Sequence, residues 1–148
     1  MAKAAGHGLA IAKPWGDSAR YDFIVETEGG FLRVQVKSTM CRKGGGYACK
    51  VRPNVRTSPY TSAQFDFLAA YVIPEDVWYI IPSTVVVRAA VNAIVLSPSR
   101  RGHKYEPYME AWHLLRSKGP EISRPVSCGP VIRKPLLREA FRSARMIG

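Results

Sequence analysis

Two short apolar-rich runs stand on either side of a glycine pair early in the chain. The first is Tyr21-Asp22-Phe23-Ile24-Val25 and the second Phe31-Leu32-Arg33-Val34-Gln35-Val36-Lys37-Ser38, with Gly29-Gly30 between them. The second run alternates apolar and polar residues, the period-two pattern of a strand with one face on a core. Leu32, Val34 and Val36 then face that core, while Arg33, Gln35 and Lys37 share the opposite face. The pattern predicts strands over 21–27 and 31–39 joined as a hairpin.

The same reading extends along the chain. Leu9 to Ala12 predicts a short strand, and Tyr47 to Arg52 a further one after the basic turn Arg42-Lys43-Gly44-Gly45-Gly46. Tyr60 to Tyr71 carries apolar residues at helical spacing, with Thr61 or Ser62 placed to cap it. Val77 to Ile81 predicts a buried strand bounded by Pro74-Glu75-Asp76 and Pro82, and Val85–Val87 and Ala93–Leu96 two short ones. Tyr105 to Arg116 places Tyr108, Trp112 and Leu115 near one stripe of a second helix. Beyond Ser117, prolines at 120, 125, 130 and 135 punctuate a basic tail that includes a short helix over 136–146. The expected organisation is one domain over 1–116 and a weakly ordered tail over 117–148, without internal repeats. The order of elements is that of an α/β protein: a mixed β-sheet flanked by helices.

Charge narrows the choice of partner. Lys+Arg 22 against Asp+Glu 11 gives a formal net charge of +11 in 148 residues. So large a surplus favours a polyanion, with nucleic acid ahead of an acidic membrane surface. No apolar run approaches the roughly 18 residues of a membrane span, and no apolar leader opens the chain, so a cytoplasmic protein is expected. Cys41, Cys49 and Cys128 lack metal-binding spacing and are read as reduced thiols. His7, His103 and His113 show no zinc spacing, and Trp15, Trp78 and Trp112 are read as core residues.

Asp22, Gln35 and Lys37 carry the candidate chemistry. A hairpin in the right register brings a carboxylate, an amide oxygen and an ammonium together, the groups a metal-dependent phosphodiesterase uses. Two plainer readings stand beside it. Asp22 is also a turn carboxylate able to pair with Arg20, and Gln35 with Lys37 also suits the solvated outer face of an antiparallel strand.

The ordered set of motifs goes further than these three residues. Lys13-Pro14-Trp15-Gly16-Asp17-Ser18-Ala19-Arg20-Tyr21-Asp22, Val34-Gln35-Val36-Lys37-Ser38, Phe65-Asp66-Phe67-Leu68-Ala69-Ala70-Tyr71, Trp78-Tyr79-Ile80-Ile81-Pro82 and Tyr105-Glu106-Pro107-Tyr108-Met109-Glu110-Ala111-Trp112 occur in that order. Together they resemble the group I intron-associated endonucleases of the PD-(D/E)xK nuclease superfamily, in the variant where Gln replaces the second acidic residue. The resemblance covers roughly residues 4 to 116. It implies a restriction-endonuclease-like fold and Mg²⁺- or Mn²⁺-dependent hydrolysis of DNA phosphodiesters. Asp22 is then the anionic metal ligand, Gln35 a neutral oxygen ligand, Val36 a ligand through its backbone carbonyl, and Lys37 the group that positions the attacking water. Because Asp22 and Gln35 supply one negative charge, the scissile phosphate is expected to complete the cation's surroundings. Arg20, Arg42, Lys43, Arg52, Arg56 and Tyr60 are the candidate DNA contacts. Family members usually begin with a helix carrying an active-site Glu. Met1 to Gly8 matches the last turn of that helix, and no Glu precedes Glu26, so the helix is expected to lie upstream or to be missing. Double-strand cleavage with one site per chain implies a homodimer or larger assembly. Two competing functions remain: a catalytically silent DNA-binding remnant of such a nuclease, and a basic RNA-binding protein whose Gln35 and Lys37 face solvent.

Overall fold

The structure is a computed structural model and describes residues 2–16, 19–51 and 64–116. A short helix α1 (Ala2–Gly6) leads into β1 (Ile11–Ala12), β2 (Phe23–Thr27) and β3 (Gly30–Thr39). Then follow β4 (Arg42–Lys43), β5 (Gly46–Lys50), β6 (Phe67–Val72), β7 (Val77–Pro82), α2 (Ser83–Ala89) and β8 (Ala93–Leu96), with 3-10 turns at Glu106–Tyr108 and Trp112–Leu115.

Five strands form the main sheet in the order β1-β2-β3-β6-β7. The β2–β3 hairpin closes at Gly30, whose φ of +128° a side chain would strain. The pair β3–β6 is parallel and the others are antiparallel, which makes the sheet mixed. A second, three-stranded sheet runs β4-β5-β8.

Alternation along β3 divides the interior as expected. Leu32, Val34 and Val36 pack with Leu9, Val25, Phe67, Ala69, Ile80, Trp112 and Leu115 on one face of the main sheet. Register puts Gln35 opposite Leu68 and Lys37 opposite Ala70 on the other face. There Leu68, Ala70, Tyr79 and Ile81 pack against Tyr47, Cys49, Ile94 and Leu96 of the second sheet. The polar face of β3 therefore looks into the space between two sheets.

Three expected elements differ. The helix predicted over 60–71 is a strand at Phe67–Val72, while 60–63 lie outside the described residues. A parallel strand covered on both faces is apolar at nearly every position, so it satisfies helical spacing as readily as a helix does. The strand predicted at Val85–Val87 is part of α2, which buries Ser83 and Val86. Packing of that face outweighs the β-preference of three valines. The helix predicted over 105–116 is two 3-10 turns separated at Glu110, which adopts φ +49°. Its carboxylate accepts the Trp78 backbone N–H and the Trp112 indole N–H, each at 2.7 Å. Such specific satisfaction leaves the segment no reason to wind into one helix. The tail expected over 117–148 falls outside the described residues.

Candidate active site

The site is built on the β2–β3 hairpin. Asp22 lies just before β2, and its backbone N–H donates to the Val34 carbonyl at 2.9 Å, so the pairing continues to this residue. Its side chain turns to β3. Asp22 Oδ2 accepts the Val36 backbone N–H at 2.6 Å and an N–H of the Gln35 side-chain amide. Gln35 Nε2 also lies 3.4 Å from the Val36 carbonyl oxygen. Asp22, Gln35 and Val36 are thus one hydrogen-bonded unit. Asp22 forms no ion pair with Arg20 among the described residues, and its carboxylate is engaged by β3 instead.

Gln35 is 7% exposed, so it is not part of a solvated outer face. Lys37 is half-buried two residues on, and no carboxylate lies within ion-pair distance of it among the described residues. Cys49 of β5 packs on this side. Burial pushes its thiol up to about 11, opposed in part by the nearby positive charge of Lys37. Just beyond the β4–β5 pairing, the Ala48 N–H donates to the Cys41 carbonyl at 2.8 Å. Both thiols are free.

Arg33 extends the same polar row and is gripped by Asp66 at the start of β6. Its backbone N–H and Nε donate to Asp66 Oδ2 at 2.8 and 3.1 Å, and Nη2 donates to Oδ1 at 2.9 Å. Asp66 N–H returns a bond to the Arg33 carbonyl at 2.8 Å. This paired contact holds the guanidinium pKa above its ordinary value. The clamp locks the parallel register that places Gln35 beside Leu68. Sequence reasoning assigned Asp66 no role, because thirty-three residues separate the partners.

Of the candidate DNA contacts, Arg20, Arg42 and Lys43 are exposed. Arg42 Nη2 donates to the Tyr47 hydroxyl at 3.3 Å, and that hydroxyl donates to Glu75 Oε1 at 2.8 Å. Arg52, Arg56 and Tyr60 lie outside the described residues. The tryptophans divide: Trp112 is buried, Trp78 is half-buried and stacked on Tyr71, but Trp15 is 102% exposed. The core reading of Trp15 is overturned, since the loop leaving β1 carries it away from both clusters.

Among the described residues no three His, Cys, Asp or Glu side chains converge on one point. The oxygen donors near a cation at this site would be the Asp22 carboxylate, the Gln35 amide and the Val36 carbonyl. The group model described as PD-(D/E)XK endonuclease matches residues 1–115. The chain belongs to that endonuclease family. A solved bacterial homing endonuclease, I-Ssp6803I, is 35% identical in sequence and superposes with a TM-score of 0.66, covering 77% of this chain and 83% of that one. No curated protein sequence matches the chain. For a PD-(D/E)XK endonuclease, the two-sheet arrangement is the restriction-endonuclease-like α/β fold, with few and short helices among the described residues. Among its described residues no helix is long and apolar enough to cross a membrane.

Proposed function

We propose that this family member is a divalent-metal-dependent DNA endonuclease of the homing type, with Asp22, Gln35 and Lys37 at its site. One observation carries the reading. Gln35 Nε2, a positively polarised group, rests between Asp22 Oδ2 and the Val36 carbonyl, a place with the electrostatics a cation seeks. A half-turn of the amide would present Oε1 there in its stead. Asp22, Gln35 and the Val36 carbonyl would hold Mg²⁺ or Mn²⁺, which when bound supplies Lewis acidity at the scissile phosphate.

The protein's own residues supply the rest. The Val36 N–H fixes the Asp22 carboxylate, so its remaining lone pairs need no rotamer search. Lys37, without a carboxylate partner among the described residues, offers an ammonium to hold the attacking water and offset charge as the phosphorane-like transition state forms. Exposed Arg20, Arg42 and Lys43 suit phosphate contacts that fix register on the duplex. The RNA-binding alternative needs both Gln35 and Lys37 in solvent, and the burial of Gln35 speaks against it.

Incubation of supercoiled plasmid with Mg²⁺ or Mn²⁺ tests the proposal. Nicking or linearisation by the protein, reduced at least about a hundredfold in Lys37→Ala and Asp22→Asn, is expected. Salt-sensitive DNA binding with no cleavage under either metal would instead identify a silent binding remnant. The mass of the DNA-bound species checks whether a dimer or larger assembly makes the double-strand cut.

A further inference from the structure

Strands β4 and β5 form a narrow, basic ribbon joined to the strand that carries Lys37. Thr39, two residues past Lys37, donates its hydroxyl to the Ala48 carbonyl of β5 at 2.7 Å and accepts the Cys41 backbone N–H at 3.2 Å. The positive charge of Lys37 is felt at Cys49, the next residue of β5. The ribbon is therefore rooted beside Lys37. Its tip at Gly45 lies three residues from Ala48, about 10 Å of strand.

That tip is bare and stands clear of the rest of the fold. Lys43 pairs with Gly46, which leaves Gly44 and Gly45 as a two-residue turn with φ of +57° and +77°. Positive φ at both positions is the type I′ turn of a tight hairpin. Among the described residues, a Cβ added at either glycine would meet nothing within 4 Å beyond its chain neighbours.

Two cations flank the tip. Arg42 and Lys43 are exposed, and no carboxylate lies within ion-pair distance of either among the described residues. Arg42 is nonetheless held. Its Nη2 donates to the Tyr47 hydroxyl at 3.3 Å, and its guanidinium carbon lies 5.6 Å from the centre of the Tyr47 ring. Tyr47 is buried, and its hydroxyl is fixed on Glu75 Oε1 at 2.8 Å. Part of the side-chain entropy that a contact would cost is thus lost before any partner arrives.

We propose that the β4–β5 hairpin enters the major groove of duplex DNA, gripped there by Arg42 and Lys43. A major groove about 12 Å wide admits a two-stranded ribbon, whereas a minor groove of about 6 Å does not. Alternation sends Arg42 and Lys43 to opposite faces of the ribbon, so each meets the phosphates of one wall. The side-chain-free turn lets the ribbon go in tip first. This rests on the endonuclease reading above and names the part of the duplex that is held. Tyr47 and Glu75 are positioning residues, acting through Arg42.

Binding of the full chain to a 30-base-pair duplex, with Ca²⁺ in place of Mg²⁺, tests the inference. Arg42→Ala and Lys43→Ala should each weaken binding about tenfold and make the log Kd against log salt plot shallower by about 0.9. Lys43 is exposed and packs on nothing, so its loss reads contact rather than folding. Tyr47→Phe should weaken binding severalfold in the parent protein but not once Arg42 is alanine, a dependence that a merely structural loss would not show. A duplex whose cytosines carry glucosylated 5-hydroxymethyl groups, which fill the major groove, should bind at least about tenfold more weakly than the plain duplex. Netropsin, which fills the minor groove, should not compete. Unchanged affinity and salt slope in both Arg42→Ala and Lys43→Ala would overturn the inference, as would equal binding of the two duplexes. Plasmid cleavage by the parent protein is scored separately. Hairpin-dependent binding without cleavage would sink the endonuclease reading alone, and cleavage with hairpin-independent binding would sink this inference alone.

Discussion

The Asp22 carboxylate accepts the backbone N–H of Val36 at 2.6 Å. Val36 lies between Gln35 and Lys37, so the acidic residue is tied to the strand that carries both of its candidate partners. The geometry of all three thus depends on one hairpin register, Phe23 opposite Val34 and Ile24 opposite Arg33. A slip of one residue would send Gln35 and Lys37 to the other face of the sheet.

Gln35→Glu tests the electrostatics of that arrangement. The new carboxylate would meet Asp22 Oδ2 where an amide N–H now donates, two like charges in a largely buried place. Without divalent cations the variant should lose about 1–3 kcal/mol of stability. Mg²⁺ or Mn²⁺ should restore it and raise Tm with concentration, more than in the parent protein. Thermal melts with EDTA and with each metal provide the comparison, and a metal-insensitive Tm would count against cation binding here.

Asp66→Ala leaves the half-buried Arg33 guanidinium and its backbone N–H without their carboxylate. A loss of about 2–4 kcal/mol is expected in urea unfolding. Because the clamp fixes the β3–β6 register, cleavage should fall further than DNA binding does. Equal losses in both would reduce Asp66 to a stability role.

Glu110→Ala should cost about 1–3 kcal/mol, since two donors, the Trp78 backbone N–H and the Trp112 indole, lose their acceptor together. Near-ultraviolet circular dichroism of the tryptophans should change with it. Glu110→Gln keeps one acceptor oxygen and should retain part of both properties.

Cys49 makes stability fall at alkaline pH. Its thiol is pushed from 9.0 up to about 11 by burial, so the unfolded chain releases this proton before the folded one does. The stabilisation is fully present below pH 9 and is lost as pH rises toward 11. Cys49→Ala should flatten the fall over that window in urea titrations. In the native protein at neutral pH, a thiol reagent should label exposed Cys41 well before buried Cys49.

Some of this was legible in the order of residues alone. Period-two alternation around a glycine pair determined the β2–β3 hairpin, the face that Leu32, Val34 and Val36 bury, and the grouping of Arg33, Gln35 and Lys37. These features are local, and a strand's alternation depends on nothing beyond its neighbours. The ordered motifs likewise carried the family. The tertiary structure decided the rest. Apolar spacing at Phe67–Val72 could not separate helix from strand, because a strand covered on both faces loses its alternation. The left-handed turn at Glu110 exists because Trp78 and Trp112 bring their N–H groups to one carboxylate. Gln35 proved buried rather than solvated because a second sheet covers the polar face of β3. The pairing of Arg33 with Asp66 and the nearness of Lys37 to Cys49 join residues remote in sequence. Contacts of that kind arise only when the chain closes on itself, which is why local pattern does not contain them.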